Sequence, residues 1–272
     1  MEYYLDYQRI NSKKNTVISY KPILTKFSLQ YGYRNIESIN SDEILSFLTS
    51  ITKNIKQTTK RLRYIILHSF FNFIINSYNY KIQNPCNSVI LRKTFRKAKY
   101  TQWTILGKET IDEIIFKSSN TRNRLLIELM ARGGMRISEV LEVRPSDVED
   151  RKIILHNPKS GRDAEIVFIP QKISDRLKEY IRDKNISSYE KIFQIKYAAA
   201  RMVVKKSGKL IGVSLSPHDL RRHAATYASR AGTPIEIVSK VILRHTNLST
   251  TQRYLGKISD TEAVRWIENL YG

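Results

Sequence analysis

The chain has 272 residues, with 47 lysines and arginines against 25 aspartates and glutamates, and a formal net charge of +22. This imbalance indicates a polyanionic partner, because each phosphate neutralised by a cationic side chain releases counterions and adds affinity. A single cysteine, Cys86, excludes an internal disulfide and a cysteine-rich metal site. No apolar run is long enough to span a membrane, and residues 1–6 lack the apolar core of a signal peptide. We therefore expect a cytoplasmic, nucleoid-associated protein.

Residues 1–91 predict a helical domain. Ser41 and Asp42 are candidate caps of a helix whose apolar residues follow at helical spacing. A longer periodic stretch covers residues 56–80, and its predicted buried side consists of Leu62, Ile65, Ile66, Phe70, Phe73 and Ile74. Asn84-Pro85 is expected to stop this helix, because a residue before proline disfavours helical backbone.

Basic residues cluster at two places in this first part. The start of the long helix carries Lys56, Lys60, Arg61 and Arg63, which form either a solvated face or, in a chain this basic, a contact with the DNA backbone. A denser run follows, with Arg92, Lys93, Arg96, Lys97 and Lys99. Such a run repels itself and packs poorly, so residues 92–100 are predicted to be an interdomain linker lying along DNA. The second domain then covers residues 101–272.

The second part predicts mixed structure. Helices are expected over residues 110–116, 122–132, 173–182 and 217–231. Residues 151–156 and 164–170 are β-rich and are joined by a hairpin-like connection. The fold class is therefore mainly α with a small β-sheet (α+β).

Three segments place arginine, histidine and tyrosine where they could act on a phosphate. In the first, Gly133-Gly134 permit a tight turn before Arg136, which starts a new helix. In the second, Ser216-Pro217 begins a helix that projects His218 and Arg221 from one face. The third runs from Leu243 through His245 to Tyr254, with polar capping residues between them.

Taken in order, these segments read Gly-x-Arg-x-Ser-Glu, His-x-Leu-Arg, Leu-x-His and Thr-Thr-x-x-Tyr. The chain thereby resembles the tyrosine recombinase (phage integrase, Xer) family over nearly its whole length. The resemblance implies a helical, SAM-like core-binding domain and a catalytic domain that close as a C-shaped clamp on double-stranded DNA. It also implies a homotetramer on two synapsed sites, and strand cleavage without metal, ATP or another cofactor.

The resemblance also assigns roles to particular residues. Arg136 and Arg221 match the two arginines that clamp the phosphate, and Tyr254 matches the nucleophile, which forms a 3′-phosphotyrosine. His218 matches the histidine that exchanges a proton with the tyrosine, and His245 the one that hydrogen-bonds the phosphate. For the lysine that protonates the leaving 5′ oxygen, Lys159 in the hairpin turn is the candidate and Lys152 the alternative.

This sequence departs from the family pattern near the second and third motifs. Arg244 stands where glycine is usual, so it either contacts DNA or shifts His245, and residues 232–245 are one residue longer than usual. His223 lies one place beyond a familiar family position, which Arg222 occupies here. We interpret His223 as structural and Arg222 as a candidate DNA contact.

The final segment carries an apolar face made of Ala263, Val264, Trp266, Ile267 and Leu270. It is expected to dock on a neighbouring protomer, as in relatives, with packing on its own domain as the alternative. The length leaves no room for an extra N-terminal domain, which favours a simple Xer-like enzyme with few accessory proteins. Integration or excision, and chromosome or plasmid dimer resolution, are the expected roles. The alternatives are type IB topoisomerase-like relaxation and a catalytically inactive DNA-binding relative.

Overall fold

The computed structural model describes residues 1–98, 103, 105–156, 158, 163–252, 254–255 and 260–271, the last range without the side chains of residues 261, 262, 270 and 271. The chain divides into two compact units, Met1–Thr101 and Gln102–Gly272. Each unit has its own buried apolar cluster. No helix in the described ranges is both long and apolar enough to cross a membrane.

The first unit is built from helices. They are α1 (Glu2–Asn11), α2 (Lys14–Tyr31), α3 (Ser41–Ile51), α4 (Gln57–Tyr78) and α5 (Val89–Thr94), with 3-10 turns at Ile36–Ser38 and Pro85–Asn87. Aromatic side chains dominate its core, since Phe27 contacts the rings of Phe47, Phe70 and Phe71. Cys86 is buried beneath α4, as expected of a small apolar residue, and burial raises the pKa of its thiol to about 12.

Three local predictions for this unit were wrong. Asn40, rather than Ser41 or Asp42, caps α3. Its side chain accepts from two backbone amides, and the Glu43 carboxylate accepts from the Asn40 backbone N–H. The helix α4 ends at Tyr78 and not at the proline, because Asn79 adopts a left-handed conformation with φ 53°. Leu62 and Ile65 are exposed, so the buried face of α4 is narrower than the periodicity indicated.

The basic run after the first unit begins on a helix. Arg92 and Lys93 lie in the last turn of α5, and Phe95 beyond it is buried and stacks on Tyr64. Gln57 donates to the carbonyl oxygens of Thr94 and Arg96. The core of the first unit therefore continues into the segment that we predicted to be a linker.

The second unit combines helices with a small sheet. Its helices are α6 (Lys108–Lys117), α7 (Thr121–Arg132), α8 (Ile137–Val140), α9 (Gln171–Asp183), α10 (Tyr197–Lys209), α11 (Pro217–Arg230), α12 (Ile235–Ile237), α13 (Leu248–Gln252) and α14 (Asp260–Tyr271). Its strands are β1 (Val148–Glu149), β2 (Lys152–His156) and β3 (Ala164–Phe168). The fold class is thus confirmed as mainly α with a small sheet, while α10 and β1 had not been predicted.

The sheet and α7 together support the site described below. The strands are antiparallel in the order β1-β2-β3, with Ile153 opposite Val167. Alternate residues of β2 and β3 face the core, so Ile153, Leu155 and Val167 are buried. Residues 125–131 of α7 are all buried, and this helix packs on both α9 and α11. The loop after α7 is therefore held by a rigid core.

Candidate active site

The glycine turn after α7 positions Arg136. Gly134 has φ +60°, and a Cβ there would lie 2.7 Å from the carbonyl oxygen of Ile242, so both the conformation and the space require glycine. Arg136 then precedes α8, and its backbone N–H donates to Glu139 Oε2 at 2.8 Å. Its guanidinium also donates to Glu139 Oε1. The Arg136 side chain is thereby tied to the helix that it begins.

The start of α11 positions His218 and Arg221. Ser216 and Asp219 form a capping box, in which Asp219 Oδ2 accepts from the Ser216 backbone N–H at 2.8 Å. His218 lies exposed in the first turn. Arg221, one turn later, is only 1% exposed and donates to the carbonyl oxygens of Gly134 and Leu243. Arg221 therefore joins the first and third motifs.

A π-helical turn leads to the third motif. Val238–Ile242 is π-helical, and the Leu243 N–H donates to the Val238 carbonyl at 2.9 Å, five residues back. A π turn contains one residue more per hydrogen-bonded ring than an α turn and often lies at functional sites. The turn lies within residues 232–245, the segment that we expected to be one residue longer than usual.

His245 is held by a chain of hydroxyl groups. Its Nδ1 lies 3.0 Å from Thr251 Oγ1, which in turn lies 2.8 Å from Ser239 Oγ. Its backbone N–H donates to the Ser239 carbonyl at 2.9 Å. Because Nδ1 is occupied in this way, Nε2 is the ring nitrogen left to meet a substrate.

Tyr254 lies beside this histidine. The two ring centroids are 5.0 Å apart, in an edge-to-face arrangement. The Tyr254 carbonyl accepts from Thr226 of α11 at 3.1 Å, and the tyrosine ring also contacts Trp103, with centroids 6.4 Å apart. Tyr254 is half-buried at the edge of a small apolar cluster formed by Ala225, Val238 and Leu243.

The cluster is strongly cationic. Burial, followed by repulsion from Arg136 and Arg244, lowers the pKa of Arg221 to about 9, so it stays charged at neutral pH. Burial and the charges of Arg221 and Arg136 lower the pKa of His245 to about 4, so this imidazole is neutral there. Burial alone would raise the pKa of Glu139, but attraction to Arg244 and Arg136 outweighs it and lowers that pKa. The arrangement suits a phosphate anion.

Two lysines were considered for protonation of the leaving oxygen. Lys159 lies outside the described residues. The alternative, Lys152, is exposed at the start of β2, where it pairs with Phe168 of β3. The choice between the two therefore remains a prediction.

Two of the predicted DNA contacts, Arg244 and Arg222, have partners within the second unit. Arg244 is 2% exposed and pairs with Glu139 and Glu165, so its prediction as a DNA contact was wrong: two buried carboxylates hold it inside the unit. The guanidinium of Arg222 lies 4.0 Å from the Trp103 ring centroid and 2.6 Å from Asp219, an intramolecular role that sequence reasoning missed.

In the first unit, Lys56, Arg96 and Lys97 are exposed, while Lys60 and Arg63 are partly exposed. Arg61 donates to the Phe95 carbonyl at 3.1 Å, so part of its donor capacity stabilises the unit itself. The DNA contacts of these residues remain predictions.

Two further residues outside the motifs were interpreted from sequence. His223 is buried, and its Nδ1 lies 2.9 Å from the Leu106 carbonyl, which confirms its structural role. In α14, Trp266 lies 3.4 Å from the position that a Cβ on Gly232 would take, whereas Val264 and Ile267 are exposed. Part of the helix therefore packs on its own unit and part of its apolar face is uncovered.

Sequence reasoning missed Trp103, Ser239 and Glu165. Trp103 and Glu165 lie outside the motifs and are brought near Tyr254 and Arg244 by long-range packing, whereas Ser239 lies in the π-helical turn just before His245.

Residues 104–259 match the family model for the phage integrase family. The chain belongs to the phage integrase family. A tyrosine recombinase of Thermosipho africanus is 30% identical over 290 residues, covering 98% of this chain and 96% of that protein. Tyrosine recombinase XerA of Pyrococcus horikoshii is 28% identical over 268 residues, covering 93% of this chain and 87% of that protein. This chain is accordingly a tyrosine recombinase, a class of enzyme that cuts and rejoins DNA strands.

Solved structures agree on the fold. The Tn1549 transposon integrase, in complex with transposon right end DNA, has a TM-score of 0.75 at 17% identity, covering 99% of this chain and 98% of that one. A lambda integrase dimer bound to a COC′ core site has a TM-score of 0.73 at 19% identity, covering 93% and 94%. At these identities the likeness concerns the fold alone.

Proposed function

We propose that this recombinase cleaves double-stranded DNA at specific sites by attack of Tyr254, with Arg136, Arg221, His218 and His245 acting on the same phosphate. The observation that carries the proposal is the direct linkage of the three motifs. Arg221 donates to carbonyl groups of the first and third motifs, and the Tyr254 ring lies against His245. Membership of the phage integrase family supports the same conclusion.

The reaction begins at the tyrosine hydroxyl group. Tyr254 Oη attacks phosphorus, the bond between phosphorus and the 5′ oxygen breaks, and a 3′-phosphotyrosine and a free 5′-hydroxyl remain. The phenolic proton passes to His218, since tyrosine with an ordinary pKa of about 10 is mostly protonated at neutral pH. A 5′-hydroxyl of another duplex reverses the step. The ester retains the bond energy, so the exchange is balanced without another reactant.

The two arginines stabilise the five-coordinate phosphorus. A guanidinium can present two parallel N–H groups to phosphate oxygens, and a fixed donor of this kind typically contributes about 3 kcal/mol in the transition state. Arg221 is held before substrate arrives, because its carbonyl partners fix it from two sides. His245, neutral near pH 7, adds a contact from Nε2.

The leaving oxygen requires a proton, which we assign to Lys159. A substrate with sulfur in place of the bridging 5′ oxygen tests this assignment, because a thiolate leaves without protonation. Cleavage of the ordinary substrate should be lost in Lys159→Ala and restored on the sulfur substrate. If Lys152→Ala shows this rescue instead, Lys152 is the acid.

The DNA partner is supported by the net charge of +22 and by the structural neighbours, the Tn1549 and lambda integrases, which are bound to DNA. The exposed Lys56, Arg96 and Lys97 of the first unit supply sequence-independent contacts with the DNA backbone.

We further propose a tetramer on two synapsed sites, in which the uncovered Val264 and Ile267 of α14 dock on a neighbouring protomer. Integration or dimer resolution beside the chromosome is the corresponding role.

The decisive experiment is covalent trapping on nicked suicide duplexes drawn from DNA that flanks the gene. Wild type should give a denaturant-resistant adduct, and Tyr254→Phe should bind the same duplex without forming one. Tyr227→Phe is the matched control, since Tyr227 is exposed on α11 and stacks on His223. An adduct that persists in Tyr254→Phe would contradict the assignment of the nucleophile. Binding without an adduct in the wild type on every duplex would indicate an inactive DNA-binding relative.

A further inference from the structure

Arg244 is an unusual residue to find where it lies. Its backbone has φ +50°, in the left-handed region that favours glycine, and its side chain is 2% exposed. A long cationic side chain is thus kept in a strained backbone conformation and away from water. Such an arrangement is stable only when the surrounding groups compensate the charge.

The compensation comes from two buried carboxylates. Arg244 Nη2 donates to Glu139 Oε2 at 2.7 Å, and Arg244 Nε lies 3.4 Å from Glu165 Oε2. The Arg244 Nη1 group also donates to the Ile242 carbonyl at 2.8 Å. Arg244 therefore connects α8 with β3.

Glu139 is held between two guanidinium groups. Its Oε1 accepts from the Arg136 side chain, while its Oε2 accepts from Arg244 and from the Arg136 backbone N–H. On the other side, the Gly134 carbonyl accepts from Arg221 and lies 3.4 Å from Arg244 Nη2. Arg244 thus lies between the supports of both phosphate-binding arginines.

Resting on the proposed function, we propose that Arg244 is a positioning residue for strand cleavage, which fixes the Glu139 carboxylate and through it the direction of the Arg136 guanidinium. We assign Arg244 no contact with the substrate, because its guanidinium faces the carboxylates of Glu139 and Glu165, whereas that of Arg221 faces neutral carbonyl groups. With both oxygens of Glu139 occupied, the carboxylate has one orientation, and the Arg136 side chain that it binds has one as well. Without Arg244, Glu139 keeps its contacts with Arg136 but loses the one that ties this pair to residue 244, so the two side chains can turn together.

A purely structural role is the competing explanation. Among the described residues, the Glu165 carboxylate accepts no hydrogen bond, so the ion pair with Arg244 is what compensates its burial. Removal of Arg244 alone would leave that charge unpaired and destabilise the fold. The two roles are separated by removing the charge of Glu165 in the same chain.

The test compares Arg244→Gly, Glu165→Gln and the double variant. Glycine suits the left-handed backbone at position 244, so the substitution adds no strain. We expect Arg244→Gly to be less stable in urea and the double variant to regain much of that stability. Adduct formation in a single turnover at saturating DNA should nevertheless remain about 10- to 100-fold slower in the double variant, the range for a misplaced catalytic group. Glu165→Gln alone should cleave at nearly the wild-type rate.

The route through Arg136 is tested in an Arg136→Lys background. In that background, adding Arg244→Gly and Glu165→Gln should slow cleavage little further, because the Arg136 guanidinium that they would misdirect has already been replaced. If the double variant cleaves as fast as wild type, or if its effect is undiminished in Arg136→Lys, the inference is refuted.

Failure of the proposed function is recognised separately. The wild-type adduct and its loss in Tyr254→Phe show whether the chemistry occurs at all. The orientation of Arg136 is also read without DNA, from the Nε–H resonance that disappears in Arg136→Lys. That resonance should shift and broaden in the Arg244→Gly, Glu165→Gln double variant but stay unchanged in Glu165→Gln. An unchanged resonance in the double variant would overturn the inference even for an enzyme without a known site.

Discussion

The stability of this recombinase should fall at mildly acidic pH because of His245. The pKa of this imidazole is lowered from 6.5 to about 4, first by burial and then by the charges of Arg221 and Arg136. Above pH 6.5 the imidazole is neutral in both the folded and the unfolded chain. As the pH falls from 6.5 towards 4, only the unfolded chain takes up the proton, so unfolding becomes more favourable.

The size of the effect follows from the two pKa values. Each unit of difference corresponds to about 1.4 kcal/mol, so the limit below pH 4 is about 3 kcal/mol. At about pH 5 the unfolded imidazole is almost fully protonated and the folded one is not, which gives about 2 kcal/mol. Because His245 is 9% exposed, solvent screening reduces this figure only modestly.

Urea unfolding at about pH 7.5 and pH 5 measures the effect. Other groups titrate in the same range. We therefore compare how much unfolding free energy each protein loses between about pH 7.5 and pH 5, and subtract the loss in His245→Gln from the loss in wild type. We expect a difference of about 2 kcal/mol. His68→Gln is the control, since the His68 imidazole meets the amide side chains of Asn87 and Asn72 rather than a charged group. Equal losses in wild type and His245→Gln would show that His245 is not held neutral by its surroundings.

Three further predictions concern the turn, the hydroxyl chain and the basic face. Gly134→Ala should destabilise the fold by more than Gly212→Ala. Both residues have positive φ, which costs an alanine about 1–2 kcal/mol, but of these two positions only Gly134 brings the new Cβ against a carbonyl oxygen. Equal urea midpoints for the two variants would contradict this reasoning. Thr251→Val should slow cleavage about tenfold, because it removes the hydroxyl group that holds the His245 ring, whereas Thr250→Val, one position earlier in α13, should cleave normally. Lys60→Gln should reduce the slope of log affinity against log salt by about 0.9 if this lysine neutralises one phosphate, and an unchanged slope would exclude that contact.

The parts of the molecule that follow from local chemistry were predictable from the sequence. The β-rich composition around Ile153 and Val167 predicted the strands, and the Ser216-Pro217 pair predicted the start of α11. The end of α4 was misjudged because proline was given more weight than Asn79, whose tolerance of positive φ lets it end a helix earlier.

Arg244 was misjudged for a different reason. An arginine beside a predicted active-site histidine in a basic chain favours DNA contact, and nothing nearby in sequence argues otherwise. Its partner Glu139 lies 105 positions away, so only the folded structure brings the compensating charge to it. The site residues that could be named from motifs were therefore those with local patterns, while their supports depend on tertiary packing.

The contacts that hold Arg221 make its placement dependent on the fold. Its carbonyl partners lie 87 and 22 positions away in the chain, so the guanidinium is fixed only once distant segments have come together. A chain that is still being synthesised, or one that has partly unfolded, contains the tyrosine or the arginine but lacks the contacts that fix the Arg221 guanidinium. The placement of Arg221 thus requires the loop after α7, the start of α11 and the third motif to have packed together, and we expect a partly unfolded chain to lose the cleavage activity proposed here.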